Sequence, residues 1–128
     1  MQRMTQLGRV CREHGVLFHT DAIQVPGRLP LELDDINVDL LALSAHKFYG
    51  PKGVGLLYVR RDTPLLPTIT GGGHERGRRP GTVNVAGAIG LATALRLVEE
   101  ERVAEYARLR TLRDVLIDGI LASIPDSR

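Results

Sequence analysis

Three short apolar runs constrain the fold of this chain more than any other feature of its sequence. They cover residues 16–19, 39–44 and 53–60, and each is followed by polar or turn-forming residues. Apolar residues at helical spacing over residues 2–14 precede the first run, and Gly15 suits the left-handed position that ends a helix. Short buried strands next to helices are typical of an α/β fold in which a mostly parallel sheet is flanked by helices.

The remaining segments predict loops and two further helices. Prolines and glycines interrupt residues 24–37, where at most a short helical turn is expected. Residues 62–82 hold three prolines and five glycines, and a loop of that length is usually functional or covered by another chain. Asn84 is suited to cap the helix that follows it, and a second helix is expected to begin near Glu101.

The composition excludes several classes of protein. Hydrophobic residues make up 43% and charged residues 25% of the 128 residues, which is typical of a globular chain rather than a disordered one. One cysteine excludes an internal disulfide. No apolar stretch is long enough to span a membrane, and no signal peptide is recognised, so the cytoplasm is the expected compartment.

Charge and histidine spacing argue against two kinds of partner. The formal net charge is only +2, and the basic patch at Arg76, Arg78 and Arg79 lacks the aromatic residues on which nucleic-acid bases stack. We therefore expect no nucleic-acid partner and assign these arginines to a subunit interface. His46 and His74 lack the spacing of metal ligands, so no metal site is expected.

Lys47 is the first residue that indicates chemistry, because it follows the apolar run ending at Ser44 and precedes a Gly-Pro turn. At the edge of a sheet, partial burial would favour the neutral amine, which is a nucleophile. Such an amine condenses with aldehydes, and pyridoxal phosphate (PLP) is the usual aldehyde in enzymes. Considered alone, Lys47 is better explained as a side chain that reaches from the sheet into water.

Four polar residues near the same predicted sheet edge favour the cofactor. Asp21 ends the preceding strand, and α/β proteins bind ligands where neighbouring parallel strands end. A carboxylate there would keep a pyridine nitrogen protonated, and Gln24 is placed to reach the phenolic oxygen of the ring. Ser44 and His46 offer a hydroxyl and an imidazole N–H to a phosphate. Each residue has an ordinary structural explanation, but together with Lys47 they indicate a PLP pocket.

Three longer motifs extend this pattern over most of the chain. They are HTDAIQ at residues 19–24, SAHKFYGPKGVG at residues 44–55 and GGGHERGRRPGT at residues 71–82. In these motifs the sequence resembles the cysteine desulfurases, which are class V aminotransferase-like enzymes. The similarity runs in one register from about residue 8 to residue 100. It implies the large domain of the fold-type I PLP-dependent transferases.

The resemblance implies a role for each residue of the pocket. Lys47 would form the covalent link to PLP and act as the catalytic residue. Asp21 would partner the pyridine nitrogen, and Gln24 would partner the phenolic oxygen. Ser44 and His46 would bind the phosphate.

The third motif implies a homodimer. By resemblance, Thr82 would reach the phosphate of the cofactor in the neighbouring subunit. The glycine-rich loop would then be ordered at the dimer interface, which explains why an irregular segment of this length is tolerated.

The implied reaction takes sulfur from L-cysteine and releases L-alanine, with Lys47 as the natural carrier of the α-proton. A cysteine thiolate would become a persulfide and pass sulfur to an iron–sulfur scaffold or a thiolation factor. In the family, the catalytic cysteine and the arginine that binds the substrate carboxylate lie downstream of this sequence, and the ring-stacking histidine lies upstream. Cys11 lies on the apolar side of the first helix and is expected to be a core residue.

These missing residues predict a piece of a longer protein. Residues 1–100 would belong to the PLP-binding large domain, and residues 101–128 would begin the helical connection toward a C-terminal small domain. Alone, the piece is expected to be inactive and poorly soluble, because its strand edges would lack partners. A selenocysteine lyase, a cysteine sulfinate desulfinase or another class V aminotransferase fits the same lysine motif. Outside the enzymes, the alternative is a module that only dimerises or binds a partner.

Overall fold

Helices and strands form close to where the sequence patterns predict them. The computed structural model describes residues 3–128, so the expected start of the first helix at residue 2 lies outside the described range. Two short 3-10 turns follow β2 and precede α3, at Ala45–Phe48 and Glu75–Gly77 respectively. In chain order, the helices and strands are α1 (Met4–Glu13), β1 (His19–Asp21), α2 (Leu33–Ile36), β2 (Leu40–Ser44), β3 (Gly55–Val59) and α3 (Val85–Ser123).

The three strands form a mixed sheet in the order β1-β2-β3. β1 and β2 are parallel, with Asp21 opposite Ala42. β3 is antiparallel to β2, with Gly55 opposite Ser44. A parallel pair needs a crossover of a dozen or more residues, whereas ten residues separate β2 from β3. The short connection therefore makes this half of the otherwise α/β fold antiparallel.

Two glycines determine how α1 ends and what it packs against. Gly15 has a φ of 63° after the helix, which confirms its predicted place at the helix end. Gly8 is the buried residue of α1. A Cβ atom at Gly8 would collide with the carbonyl oxygen of Ile36 at the end of α2. The absence of a side chain at Gly8 thus lets α1 contact α2.

The core is built from alternate residues of β2 and from the first half of α3. Leu41 and Leu43 are both buried, and residues two apart on a strand share a face. Phe48 from the 3-10 turn after β2 joins them, as do Leu91 and Ala94 from α3. The first half of α3 therefore packs against the segment that carries Lys47.

α3 is one continuous helix of 39 residues, and the prediction of a separate helix from Glu101 onward is wrong. No glycine or proline lies between Leu91 and Thr111, and the charged residues near Glu101 favour a helix. An ion pair between Arg96 and Glu100 adds support one turn apart. The side chain of Asn84 accepts a hydrogen bond from the Gly87 amide at 2.9 Å, which confirms Asn84 as the cap.

The second half of α3 exposes many large apolar residues. Its large apolar residues are all at least 40% exposed in the described chain, although such residues usually face a partner. No helix among residues 3–128 has the length and apolarity needed to cross a membrane. The exposed residues are Val103, Tyr106, Leu109, Leu112, Val115, Leu116, Ile117, Ile120 and Leu121.

Candidate functional site

The carboxyl ends of β1 and β2 bring the predicted residues to one edge of the sheet. β1 ends at Asp21, which pairs with Ala42 in the parallel register. β2 ends two residues beyond that level, at Ser44, and continues directly into the turn that carries Lys47. The prediction that the two strand ends share an edge is confirmed. This edge is where ligands bind in α/β sheets.

Asp21 is exposed and is held by the backbone that follows it. Its Oδ1 atom accepts a hydrogen bond from the Ile23 amide at 3.1 Å, which is a local turn of the kind that aspartate favours. The next residue, Ala22, is buried and donates its amide to the Ala42 carbonyl at 3.1 Å. The carboxylate is therefore fixed at the strand end while it remains accessible to a ligand.

Gln24 lies three residues beyond Asp21 on the segment that leaves the sheet. Its side chain is exposed. Within residues 3–128 the side-chain amide of Gln24 forms no hydrogen bond, so its donors and acceptor are available to a ligand.

Ser44 and His46 interact directly with each other. Ser44 Oγ and His46 Nδ1 are 2.9 Å apart, which is a hydrogen bond. In the tautomer in which Ser44 donates to Nδ1, His46 keeps an Nε2–H that is free to donate. In the other tautomer, the Ser44 hydroxyl hydrogen is free. Either arrangement leaves one donor for an anion at the end of β2.

Lys47 lies on a turn whose flanking residues are anchored in the core. Ala45 and Phe48 are buried on either side of it, and the Gly50 amide closes the turn on the Ala45 carbonyl at 2.9 Å. Lys47 itself is exposed, so the partial burial predicted from the sequence is wrong. The reason is that its neighbours occupy the inward positions. Across residues 3–128, no acidic side chain forms an ion pair with Lys47, which leaves the amine available.

α3 supports this turn through a close contact that the local sequence pattern does not predict. A Cβ atom at Gly90 would lie 2.6 Å from the Pro51 Cγ atom and 3.1 Å from its Cδ atom. Such distances leave no room for a side chain, so the contact requires glycine at this helical position. The signal in the sequence was Gly90 itself, because glycine inside a helix costs stability and usually has a packing reason.

Thr82 is not joined to the other five candidates. It is exposed in the loop before α3, and no hydrogen bond links it to the strand edge in the described part of the chain. Among residues 3–128, no three His, Cys, Asp or Glu side chains are grouped closely enough to hold a metal ion. The five residues at the strand edge are therefore the candidate site, and the role of Thr82 stays a prediction.

Comparison with known proteins covers the whole sequence. The profile of the family described as Aminotransferase class-V matches residues 1–128. The chain belongs to this family. It is also 45% identical to the cysteine desulfurase IscS of Clostridium botulinum over 126 residues, which is 98% of this chain and 32% of that relative.

Solved structures of class V relatives share the fold described above. A NifS-like protein superposes with a TM-score of 0.91 at 40% identity, over 95% of this chain and 34% of that structure. A structure of SspA in complex with cysteine superposes with a TM-score of 0.71 at 46% identity, over 75% of this chain and 28% of that one. This class V chain thus spans about a third of the length of the relatives that it matches.

Proposed function

We propose that this chain is the lysine-bearing part of a PLP-dependent cysteine desulfurase, which takes sulfur from L-cysteine and releases L-alanine. The observation that carries the proposal is the position of Lys47. This lysine is exposed on a turn anchored in the core, at the same sheet edge as Asp21 and the Ser44–His46 pair. The likeness to the IscS enzyme and to the cysteine complex of SspA supports cysteine as the substrate.

The chemistry of the five side chains fits PLP. The cofactor needs an amine for its aldehyde, an acid for its pyridine nitrogen and donors for its phosphate. Lys47 supplies the amine, Asp21 the carboxylate, and the Ser44–His46 pair the free donor. Gln24 adds an amide for the phenolic oxygen. A single sheet edge therefore carries one group for each polar part of the cofactor.

Each residue has a distinct task in the proposed reaction. When bound, PLP supplies an electron sink for the charge that develops on the substrate Cα atom. Asp21 maintains that sink by accepting a charge-assisted hydrogen bond from the pyridine N–H. Lys47 would hold the cofactor through its amine, and the same amine would be the group that takes the α-proton of the substrate. Ser44 and His46 fix the phosphate, so the ring keeps its orientation.

The thiol that accepts the sulfur is proposed to lie in the part of the relatives' length that this chain does not span. Cys11 is a poor candidate because it lies near the end of α1, and its carbonyl accepts the Val16 amide at 2.8 Å on the way into β1. This places Cys11 near the amino end of β1, whereas Lys47 follows the carboxyl end of β2. Sulfur would pass from the accepting thiol to an iron–sulfur scaffold or another acceptor protein.

We also propose that the complete protein is a cytoplasmic homodimer. In such a dimer, Thr82 would bind the phosphate of the partner's cofactor, which is consistent with its exposed place in the loop before α3. Residues 1–100 would form part of the large domain, and residues 101–128 would lead toward a smaller domain. The exposed apolar residues of the second half of α3 support this division, because they are suited to contact with further chain.

The two lysines of this sequence supply the test variant and its control for the decisive experiment. Lys47 and Lys52 are the lysines of this sequence, and both are exposed. We expect borohydride reduction of the full-length protein with PLP to label the peptide that contains Lys47. Lys47→Ala should abolish the label, the near-visible absorbance band and alanine release from cysteine. Lys52→Ala is the matched control and should retain all three.

The same experiment separates the alternatives. A label on another lysine would contradict the assignment of Lys47. The absence of label and band from the parent protein would favour a module that only dimerises or binds a partner. Label at Lys47 with alanine release from cysteine sulfinate or selenocysteine, but not from cysteine, would favour one of the sibling enzymes.

A further inference from the structure

The segment that carries Gln24 is attached to α3 by residues far apart in sequence. The Gly27 amide donates a hydrogen bond to Glu99 Oε1 at 3.1 Å, across 72 positions of the chain. Gly27 has a φ of +72°, and a Cβ atom there would lie 3.1 Å from the Val98 Cβ atom. Two adjacent residues of α3 therefore contact the same glycine, one by a hydrogen bond and one by close packing.

The Glu99 carboxylate is itself held in place. Its second oxygen, Oε2, accepts a hydrogen bond from Arg102 Nε at 2.9 Å. The side chains of Arg102 and Glu99 are 25% and 35% exposed, respectively. Both carboxylate oxygens of Glu99 therefore accept hydrogen bonds, one from the Gly27 amide and one from Arg102 on the same helix.

The same helix contacts the turn that carries Lys47. Gly90 lies against Pro51, and the buried Leu91 belongs to the core cluster that includes Phe48. Gly90 and Glu99 are nine residues apart, which is about 14 Å along a helix. α3 therefore holds two separate site segments at a fixed spacing.

We propose that Glu99 is a positioning residue, which places Gln24 relative to Lys47 by holding the Gly27 amide against α3. This inference rests on the proposed PLP function, since it concerns how the Gln24 amide reaches the phenolic oxygen of the cofactor. Glu99 acts only through the backbone of the segment from Gln24 to Gly27.

The test compares three variants of the full-length protein. Glu99→Ala removes the acceptor of the Gly27 amide, and we expect PLP to bind up to about tenfold more weakly, which is the most that loss of one hydrogen bond from Gln24 to the cofactor would cost. The pH at which the near-visible band changes should also shift, because the phenolic oxygen loses a donor. Glu99→Gln keeps one oxygen acceptor for the Gly27 amide, but its NH2 group cannot accept from Arg102, so this variant should recover only part of both properties. Glu100→Ala is the matched control, because Glu100 is exposed and pairs with Arg96 instead.

A double-mutant cycle with Gln24→Ala distinguishes positioning from general loss of stability. If Glu99 acts through Gln24, then Glu99→Ala should not weaken PLP binding further in a Gln24→Ala background. Additive losses, or a Glu99→Ala protein with parental affinity and band, would overturn the inference.

Hydrogen exchange without cofactor gives a second measurement that does not depend on PLP. Amide protection over residues 22–29 should fall in Glu99→Ala and stay at the parental level in Glu100→Ala. Unchanged protection would overturn the inference even if the parent enzyme binds PLP at Lys47. In contrast, a parent that shows this protection pattern but no label at Lys47 would refute the proposed function rather than the Glu99–Gly27 contact.

Discussion

The two halves of α3 have the same secondary structure and opposite surroundings. The first half is rich in glycine and alanine, and Gly87, Leu91 and Ala94 are its buried residues. The second half carries larger apolar residues, and the described chain buries none of them. Small residues permit close contact with the Lys47 turn, whereas large exposed ones predict a surface that further chain covers. Helix formation is thus supported by tertiary packing in one half and by local propensity and ion pairs in the other.

Truncation of one leucine in each half of α3 should give the largest difference in the free energy of unfolding. Leu91 is 5% exposed and Leu112 is 52% exposed. Leu91→Ala removes core contacts and should lower the free energy of unfolding by about 2–5 kcal/mol. Leu112→Ala should change it by less than about 0.5 kcal/mol. Urea unfolding of the 128-residue chain at low concentration measures both values, and equal losses would contradict the contrast between the halves.

Replacing a glycine by alanine should change the stability by a smaller amount, with opposite signs in the two halves of α3. Gly90→Ala would bring a methyl group against Pro51, at 2.6 Å before relaxation, and should destabilise the protein by about 1–3 kcal/mol. Gly119→Ala meets nothing within 4 Å and should stabilise the helix by up to about 1 kcal/mol. Thermal unfolding would detect both shifts. A stabilising Gly90→Ala would show that the contact with Pro51 does not constrain the Lys47 turn.

The smallest expected effect concerns an exposed ion pair in the second half. The Arg108 guanidinium holds the pKa of the Glu105 carboxyl below its ordinary value of 4.5 through a side-chain hydrogen bond. This pKa is lower in the folded state than in the unfolded state. The pair therefore stabilises the protein at pH values above the unfolded-state pKa, and this contribution is lost as the pH falls through the folded-state pKa. Glu105→Gln should therefore reduce the slope of stability against pH below about pH 5. The stability of the parent and variant should converge at lower pH.

Local patterns predicted the strand ends but not how the helix supports them. The alternation in β2 and the turn residues after Asp21 are properties of short segments, so the shared edge followed from the sequence. The exposure of Lys47 did not, because it depends on which neighbours face the core. The contact between Gly27 and Glu99 joins residues 72 positions apart, and no local period encodes such a pair.

The one continuous helix was mispredicted for a related reason. The acidic residues near Glu101 resemble a helix start when the preceding turns are ignored, since acidic side chains favour an amino end. No breaker precedes them, and the helix simply continues. The antiparallel direction of β3 likewise follows from the short connection between β2 and β3, and not from the residue pattern within the strand.

α3 has 39 residues and contains no proline, which is the commonest cause of a sharp kink in a helix. Its near end touches the lysine turn and the glutamine segment, and its far end reaches about 40 Å beyond the last buried alanine at position 94. If a contact near Ile120 tilted the helix, we would therefore expect Pro51 and Gly27 to shift together, because both contact its first half.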